Sequence, residues 1–158
     1  MIPPFRVRRA DWEHDHGSLR RIREDVFVHE QRVPPELEWD GFDAECHHVI
    51  AEDQHGAAIG TGRLLADGHI GRMAVLQAWR KRGVGSALLK ELLAIASEHG
   101  MREVMLNAQT QALDFYTRYG FVAEGEVFFD AGIAHLRMKR RLDEGDHGAG
   151  TDVAQPGE

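Results

Sequence analysis

The residues best suited to chemistry stand together in Arg80-Lys81-Arg82-Gly83-Val84-Gly85. Before them, His69 to Leu76 has the apolar, partly β-branched make-up of a strand, through Ile70, Met73 and Val75. After them, Leu88, Leu89, Leu92, Leu93 and Ile95 recur at helical spacing. A strand feeding a glycine loop and then a helix N-terminus is an anion cradle. The free N–H groups of the first turn point outward, and the helix dipole favours negative charge there. Gly83 and Gly85 let the backbone approach a ligand with no Cβ in the way. Two neighbouring phosphates, as in a pyrophosphate, fit such a site. Two nucleotide motifs fail on named residues. A Walker loop needs Gly-Lys-Ser/Thr, and no lysine follows Gly85. A dinucleotide fingerprint needs a third glycine where Leu88 stands.

A second chemical stretch is acidic: Glu36, Glu38, Asp40, Asp43 and Glu45, interleaved with Leu37, Trp39 and Phe42. Carboxylates alone read equally well as solvated surface. The aromatic residues among them are anchors that pin a loop to the body, where it can line a pocket for a cation. His14-x-His16 lacks a partner cluster at ligand spacing, so no metal is expected. Cys46 has no evident base beside it and is not expected to be a nucleophile.

The elements that must position these groups follow in order. Phe5 to Arg8 alternates as a first strand, and Asp11 to Gly17 reads as a polar connection. Leu19, Ile22, Val26 and Phe27 predict a helix from Ser18 to about Val28, with Pro34-Pro35 ending anything helical. Strands are expected over His47–Asp53 and Ala57–Ala66, and Asp67-Gly68 turns the chain into the strand that opens at His69. The central helix should run from Ser86 to about His99, closed by Gly100. Val104, Leu106 and Ala108 form another strand, Thr110 to Arg118 a short helix, and Phe121-Val122 a further extended piece. Val127–Asp130 and Ile133–Lys139 form a terminal hairpin around Ala131-Gly132. The pattern is α+β: a mostly antiparallel, twisted sheet flanked by helices, with one parallel crossover over residues 69–108. Residues 1–142 read as one domain, and from Asp143 the glycine- and aspartate-rich composition reads as a disordered tail.

Composition narrows the class. At 158 residues, with 42% hydrophobic and 28% charged side chains, the chain has room for a core and the balance of a soluble globular protein. A net charge of -7 argues against a general nucleic-acid binder despite the local basic run. The single cysteine excludes an internal disulfide and suits a cytoplasmic location. No apolar run is long enough to span a membrane, and MIPPFRVRR lacks the core of a signal peptide.

Arg80-x-x-Gly83-x-Gly85, set between strand and helix, resembles the acetyl-CoA pyrophosphate loop of the GNAT superfamily of N-acyltransferases. Ala112-Leu113-Asp114-Phe115-Tyr116-Thr117-Arg118-Tyr119-Gly120-Phe121 is similar to that superfamily's A-x-x-F-Y-x-x-x-G-F segment. Further upstream, Ile22-Arg23-x-x-Val26-Phe27-Val28-x-Glu30-Gln31-x-Val33-Pro34, followed by Glu38-x-Asp40 and Asp43, resembles a bacterial ElaA-like branch. The resemblance implies a sheet splayed at its central strands and acetyl-CoA as cosubstrate. It places the backbone of Met73, Ala74 and Val75 along the acetyl and pantetheine amides, much as an added strand pairs with a sheet edge. The N–H groups from Arg80 through Lys81, Arg82, Gly83, Val84 and Gly85 to Ser86 would hold the pyrophosphate, and Asn107 stands with the cofactor contacts. Gln109 occupies a position where many relatives carry an asparagine that contacts pantetheine.

The implied reaction is direct transfer of an acetyl group to an amine. Tyr116 lies near the thioester sulfur and serves as the acid for the leaving thiolate. His69 is the candidate base, with Glu30, His48 or a relayed water as alternatives. Glu30, Glu38, Asp40, Asp43 and His48 are the candidate acceptor contacts. A small-molecule amine is the expected partner, with no nucleic acid, no membrane, and a homodimer as an open option. A protein α-amine or lysine acceptor, or a non-catalytic acyl-CoA sensor, would share the same loop.

Overall fold

The computed structural model describes residues 4–142, so the stretch from Asp143 lies outside the described residues. Seven strands form two antiparallel sheets, one ordered β1-β2-β3-β4 and the other β5-β7-β6. In the first sheet, β1 (Phe5–Ala10), β2 (His47–Asp53), β3 (Ala58–Leu64) and β4 (Ile70–Val75) follow as neighbours. β5 (Glu103–Gln109), β6 (Val122–Asp130) and β7 (Ile133–Arg141) make the second. β2 has the limits expected from the sequence, and the terminal hairpin also forms.

Four helices complete the described fold: α1 (Trp12–Arg23), α2 (Pro35–Glu38), α3 (Val84–Glu98) and α4 (Leu113–Thr117). α3 covers one face of the first sheet. Its Leu88, Leu89 and Leu92 are fully buried against Val49, Ile59, Leu64 and Ile70. Burial of each such side chain contributes roughly 1.5–3 kcal/mol. Close approach demands glycine beneath the helix: a Cβ on Gly62 would sit 2.9 Å from Leu92 Cδ1. α1 covers the opposite face through Leu19 and Ile22, packed on Ile50 and Ala74. Because both faces are covered, β2 and β3 are buried along nearly their whole length.

α1 begins at Trp12, not at Ser18, which corrects the polar-connection reading of 11–17. The Asp11 carboxylate accepts from the Glu13 N–H, and Glu13 and Asp15 favour the positive helix end. Beyond Arg23 the chain continues as a π-helix over Glu24–Glu30 and closes with Gln31 N–H donating to Val26 O. α3 starts two residues before the expected Ser86 and ends in a Schellman motif. There Gly100 (φ +73°) lets Met101 N–H reach Ala96 O and its own N–H reach Ser97 O.

The parallel crossover is nearly absent as hydrogen bonding. β4 and β5 meet at one bridge, His69 with Met105, where Met105 N–H donates to Gly68 O at 3.0 Å. Beyond that bridge the strands part. A bulge in β4 contributes to this: Gly71 pairs with Arg63 and Ala74 with Thr61, so Arg72 and Met73 oppose Gly62 alone. Arg72 adopts φ +50°, a left-handed conformation that a non-glycine residue seldom takes.

Candidate active site

The parting of β4 and β5 opens a cavity of about 400 Å³, walled by β4, β5, β7 and the segment that follows α1. The basic loop lies at the end of β4. A 3-10 turn over Gln77–Trp79 delivers Arg80, and Lys81 and Gly83 adopt φ +63° and +88°. Gly83 is the N-cap of α3 and supplies no side-chain hydrogen bond. The first N–H to be taken up is that of Ala87, which donates to Gly83 O at 3.1 Å. The N–H groups of Val84, Gly85 and Ser86 precede the first intrahelical bond of a helix. A Cβ on Gly83 would meet no atom within 4 Å, so the approach from that side is open. Backbone donors, a helix dipole and adjacent cations suit a diphosphate.

Arg80 itself is engaged elsewhere. Its Nε donates to Val75 O at 2.9 Å, and both terminal nitrogens bind the Glu30 carboxylate at 2.7 Å. The Val75 carbonyl, expected to face pantetheine, therefore already accepts from Arg80. Ala74 points into the core beneath α1. Tyr116 is packed edge-on against Phe115 and Phe121, and its hydroxyl donates to Met73 Sδ at 3.6 Å. Burial pushes its pKa up to about 12, so the hydroxyl keeps its proton at any working pH.

The acidic segment has a different fate from the one expected. Arg23 Nε binds Glu38 at 2.7 Å, and Arg23 Nη1 binds Asp43 at 2.8 Å. Arg63 joins Asp43 at 3.0 Å to Asp40 at 2.8 Å. Arg72 joins Asp40 at 3.2 Å back to Glu38 at 3.1 Å. Three arginines and three carboxylates thus alternate in a closed ring, largely buried. Glu38 lines the cavity but is 4% exposed, so its charge is spent on guanidinium groups. Burial alone would raise the Asp40 carboxyl. The Arg63 hydrogen bond, the Phe42 N–H and the charges of Arg63 and Arg72 outweigh it and hold the pKa at about 2. These carboxylates are anchors of the segment, not free negative charge for a cation.

The remaining sequence candidates separate. His48 stacks on Trp12 at 5.0 Å, and its Nε2 donates to Asp43 O at 2.8 Å. It opens on a separate groove with Cys46 and His47, away from the cavity. Burial raises the Cys46 thiol pKa, in keeping with an unreactive cysteine. His69 does line the cavity, with Nδ1 3.0 Å from the exposed Asp67 carboxylate. Asn107 and Gln109 line it too. The Gln109 amide is clasped to Gln31, donating to its Oε1 at 2.9 Å, and accepts from Gln111 at 2.6 Å. His135 on β7 also faces this cavity and was not foreseen. Strand alternation put it on one face of the terminal hairpin, but only the pairing of Gln109 with His135 shows which face that is.

An acetyltransferase (GNAT) domain family matches residues 17–142. The chain belongs to the GNAT acetyltransferase family. It is 41% identical to the uncharacterized N-acetyltransferase YjcF of Bacillus subtilis over 75% of this chain and 87% of that protein. Among solved structures, an acyl-CoA N-acyltransferase from Pseudomonas aeruginosa superposes with a TM-score of 0.76 at 31% identity, covering 87% of this chain and 99% of that one. Escherichia coli ElaA gives 0.77 at 27% identity, covering 85% and 99%. The GNAT fold accounts for the splayed sheets, and members of the family take an acyl-CoA donor and an acceptor. Among the described residues no helix is long and apolar enough to cross a membrane.

Proposed function

We propose that this GNAT domain moves an acetyl group from acetyl-CoA directly to a primary amine of a small molecule. The observation that carries the reading is the uncapped start of α3, where Gly85 lies against Phe115, the ring packed edge-on to the cavity-lining Tyr116. The N–H groups of Val84 to Ser86, with Lys81 and Arg82 alongside, hold the pyrophosphate. The β4 edge around Met73 runs beside the pantetheine arm. Bound acetyl-CoA supplies the activated thioester carbonyl. Tyr116 gives its proton to the departing thiolate sulfur. The pKa of about 12 keeps that proton in place until a strong base develops beside it. One proton must also leave the amine, and an imidazole is the side chain suited to take it near neutral pH. A cavity walled by paired charges and neutral amides suits a small amine better than a polycationic peptide.

A mass-shift screen of primary amines with acetyl-CoA tests the reading, with Tyr116→Phe beside the wild type. The variant keeps the ring and should bind acetyl-CoA, while turnover falls by about 10²–10⁴. Wild-type turnover in Tyr116→Phe, with chemistry limiting the rate, would remove the hydroxyl from the mechanism.

A further inference from the structure

The imidazoles of His69 and His135 face the same cavity but stand at different levels along the strands. The bridge between His69 and Met105 sets the scale, because in a parallel pair the two strands advance together. Four residues further, Met73 on β4 comes level, within one bulge residue, with Gln109 on β5. Gln109 pairs directly with His135 on β7, and directly opposed residues share a face of the sheet. His135 therefore sits level with Met73, whose sulfur marks the position of the Tyr116 hydroxyl at 3.6 Å. His69 lies about 10 Å back along the strand, three ladder steps of roughly 3.3 Å once the bulge is counted.

The ring of His135 is also held in one useful form. Its Nδ1 lies 2.7 Å from Ile133 O, a carbonyl that can only accept, so the proton is on Nδ1. The neutral ring then carries its lone pair on Nε2, and no hydrogen bond is made to that atom among the described residues. Phe128 stacks on the ring at 5.7 Å and 21°, which fixes its plane. Among the described residues the His69 ring is oriented by Asp67 alone, an exposed carboxylate in a surface turn.

We propose that His135 is the general base of the transfer reaction, a role that rests on the amine-acetylation reading. Nε2 takes the proton of the amine nitrogen as the new C–N bond forms to the thioester carbonyl. The C–S bond breaks, and the thiolate sulfur takes the Tyr116 proton. The imidazolium on β7 and the phenolate on α4 then neutralise each other through cavity water, so the enzyme returns to its starting protonation. The other ionisable groups facing this cavity are His69, Glu38, Asp130 and Tyr116, with Arg63 and Arg72 as fixed charges.

The test is His135→Ala in the full chain, with an amine found in the wild-type screen. Acetyl-CoA should raise the melting temperature of the variant as it does that of the wild type, which reports a folded protein with an intact cofactor site. The value of kcat/KM should fall by about 10²–10⁴, and its acidic limb in the pH profile should disappear. Added imidazole should restore part of the rate, since the truncated side chain leaves room for it. His135→Phe keeps the stack on Phe128 and should be equally slow without rescue. Wild-type kcat/KM in His135→Ala, or a slow variant whose acidic limb persists unchanged, would overturn the assignment and pass the role to a group such as His69. A wild-type protein that binds acetyl-CoA yet acetylates no amine would overturn the function reading, and the base with it.

Discussion

The basic loop Arg80–Ser86 and the acidic segment Glu36–Glu45 look alike in sequence, as runs of like charge, and they use it in opposite ways. At the loop the side chains matter less than the backbone. α1 has its first turn capped by Asp11, whereas α3 begins at Gly83 with no side-chain cap and leaves its donors for a ligand. In the acidic segment, Glu38, Asp40 and Asp43 are each shared between two arginines. The charge a site offers is what remains after the protein's own pairing. By that measure the acidic segment is a strut, and the loop keeps its backbone donors for the diphosphate we propose there.

The strut reading is broken most directly by removing one carboxylate. Asp43→Ala leaves Arg23 and Arg63 without the oxygen they share, in a place where both guanidinium groups are nearly buried. Losing one partner of a buried ion pair costs about 3–5 kcal/mol, and denaturant unfolding should show a loss of that size. A variant as stable as the wild type would return Asp43 to the solvated surface.

The loop reading is tested by Gly85→Glu. A Cβ at Gly85 would lie 3.6 Å from Phe115, an ordinary contact, so the fold should survive. The added carboxylate should abolish the stabilisation by acetyl-CoA, about 2.7 kcal/mol at a ligand concentration 100 times the dissociation constant. An unchanged thermal shift in the folded variant would remove the diphosphate from this loop.

These two regions also differ in how far they were legible. The loop is a local motif, and strand, glycines and helix lie next to one another in the chain, so pattern alone located it. The partners of the acidic segment come from α1, β3 and β4, and no local pattern shows that Arg23, Arg63 and Arg72 turn inward. Arg63 gave the one hint, as a lone cation inside the buried run of β3. The start of α1 was missed because polar residues at its first turn look like a loop until Asp11 is seen to cap them. The splay between β4 and β5 was implied by the family resemblance, but the bulge at Arg72 and Met73 that contributes to it, after a single bridge, has no local signal in the sequence.

Acid should loosen the strut. Asp40 is held at about 2 when folded against roughly 3.9 in an unfolded chain, so the unfolded state binds more protons between those values. Its contribution, reduced by solvent screening to about 1 kcal/mol for this partly exposed carboxylate, is present above about pH 5 and lost as the pH falls toward 2. Asp43, which shares Arg63 and is also lowered, adds to the loss. Glu38, raised by burial, works against it, because the fold holds that proton more tightly than the unfolded chain does. Asp40→Asn should flatten the fall in melting temperature between pH 5 and pH 3. An unchanged slope would show that Asp40 does not titrate with folding.

The smallest effect concerns an ion pair that joins the end of the segment after α1 to the start of the loop, the fork of Arg80 on Glu30. The two side chains are 36% and 40% exposed, so Glu30→Gln should change stability by less than about 1 kcal/mol. Its effect on the ligand is more telling. The Nε bond to Val75 O keeps Arg80 at the end of β4 without help from Glu30. Removing the carboxylate therefore leaves a positive charge beside the loop that was neutralised before. Acetyl-CoA should bind a few-fold more tightly at low salt, and the gain should shrink as salt rises through 0.15 M, where screening acts over about 8 Å. Weaker binding in a folded Glu30→Gln variant, at every salt concentration, would mean that the pair sets the shape of the loop. Glu30 would then belong to the cradle, and the line between strut and binding surface would run on its far side.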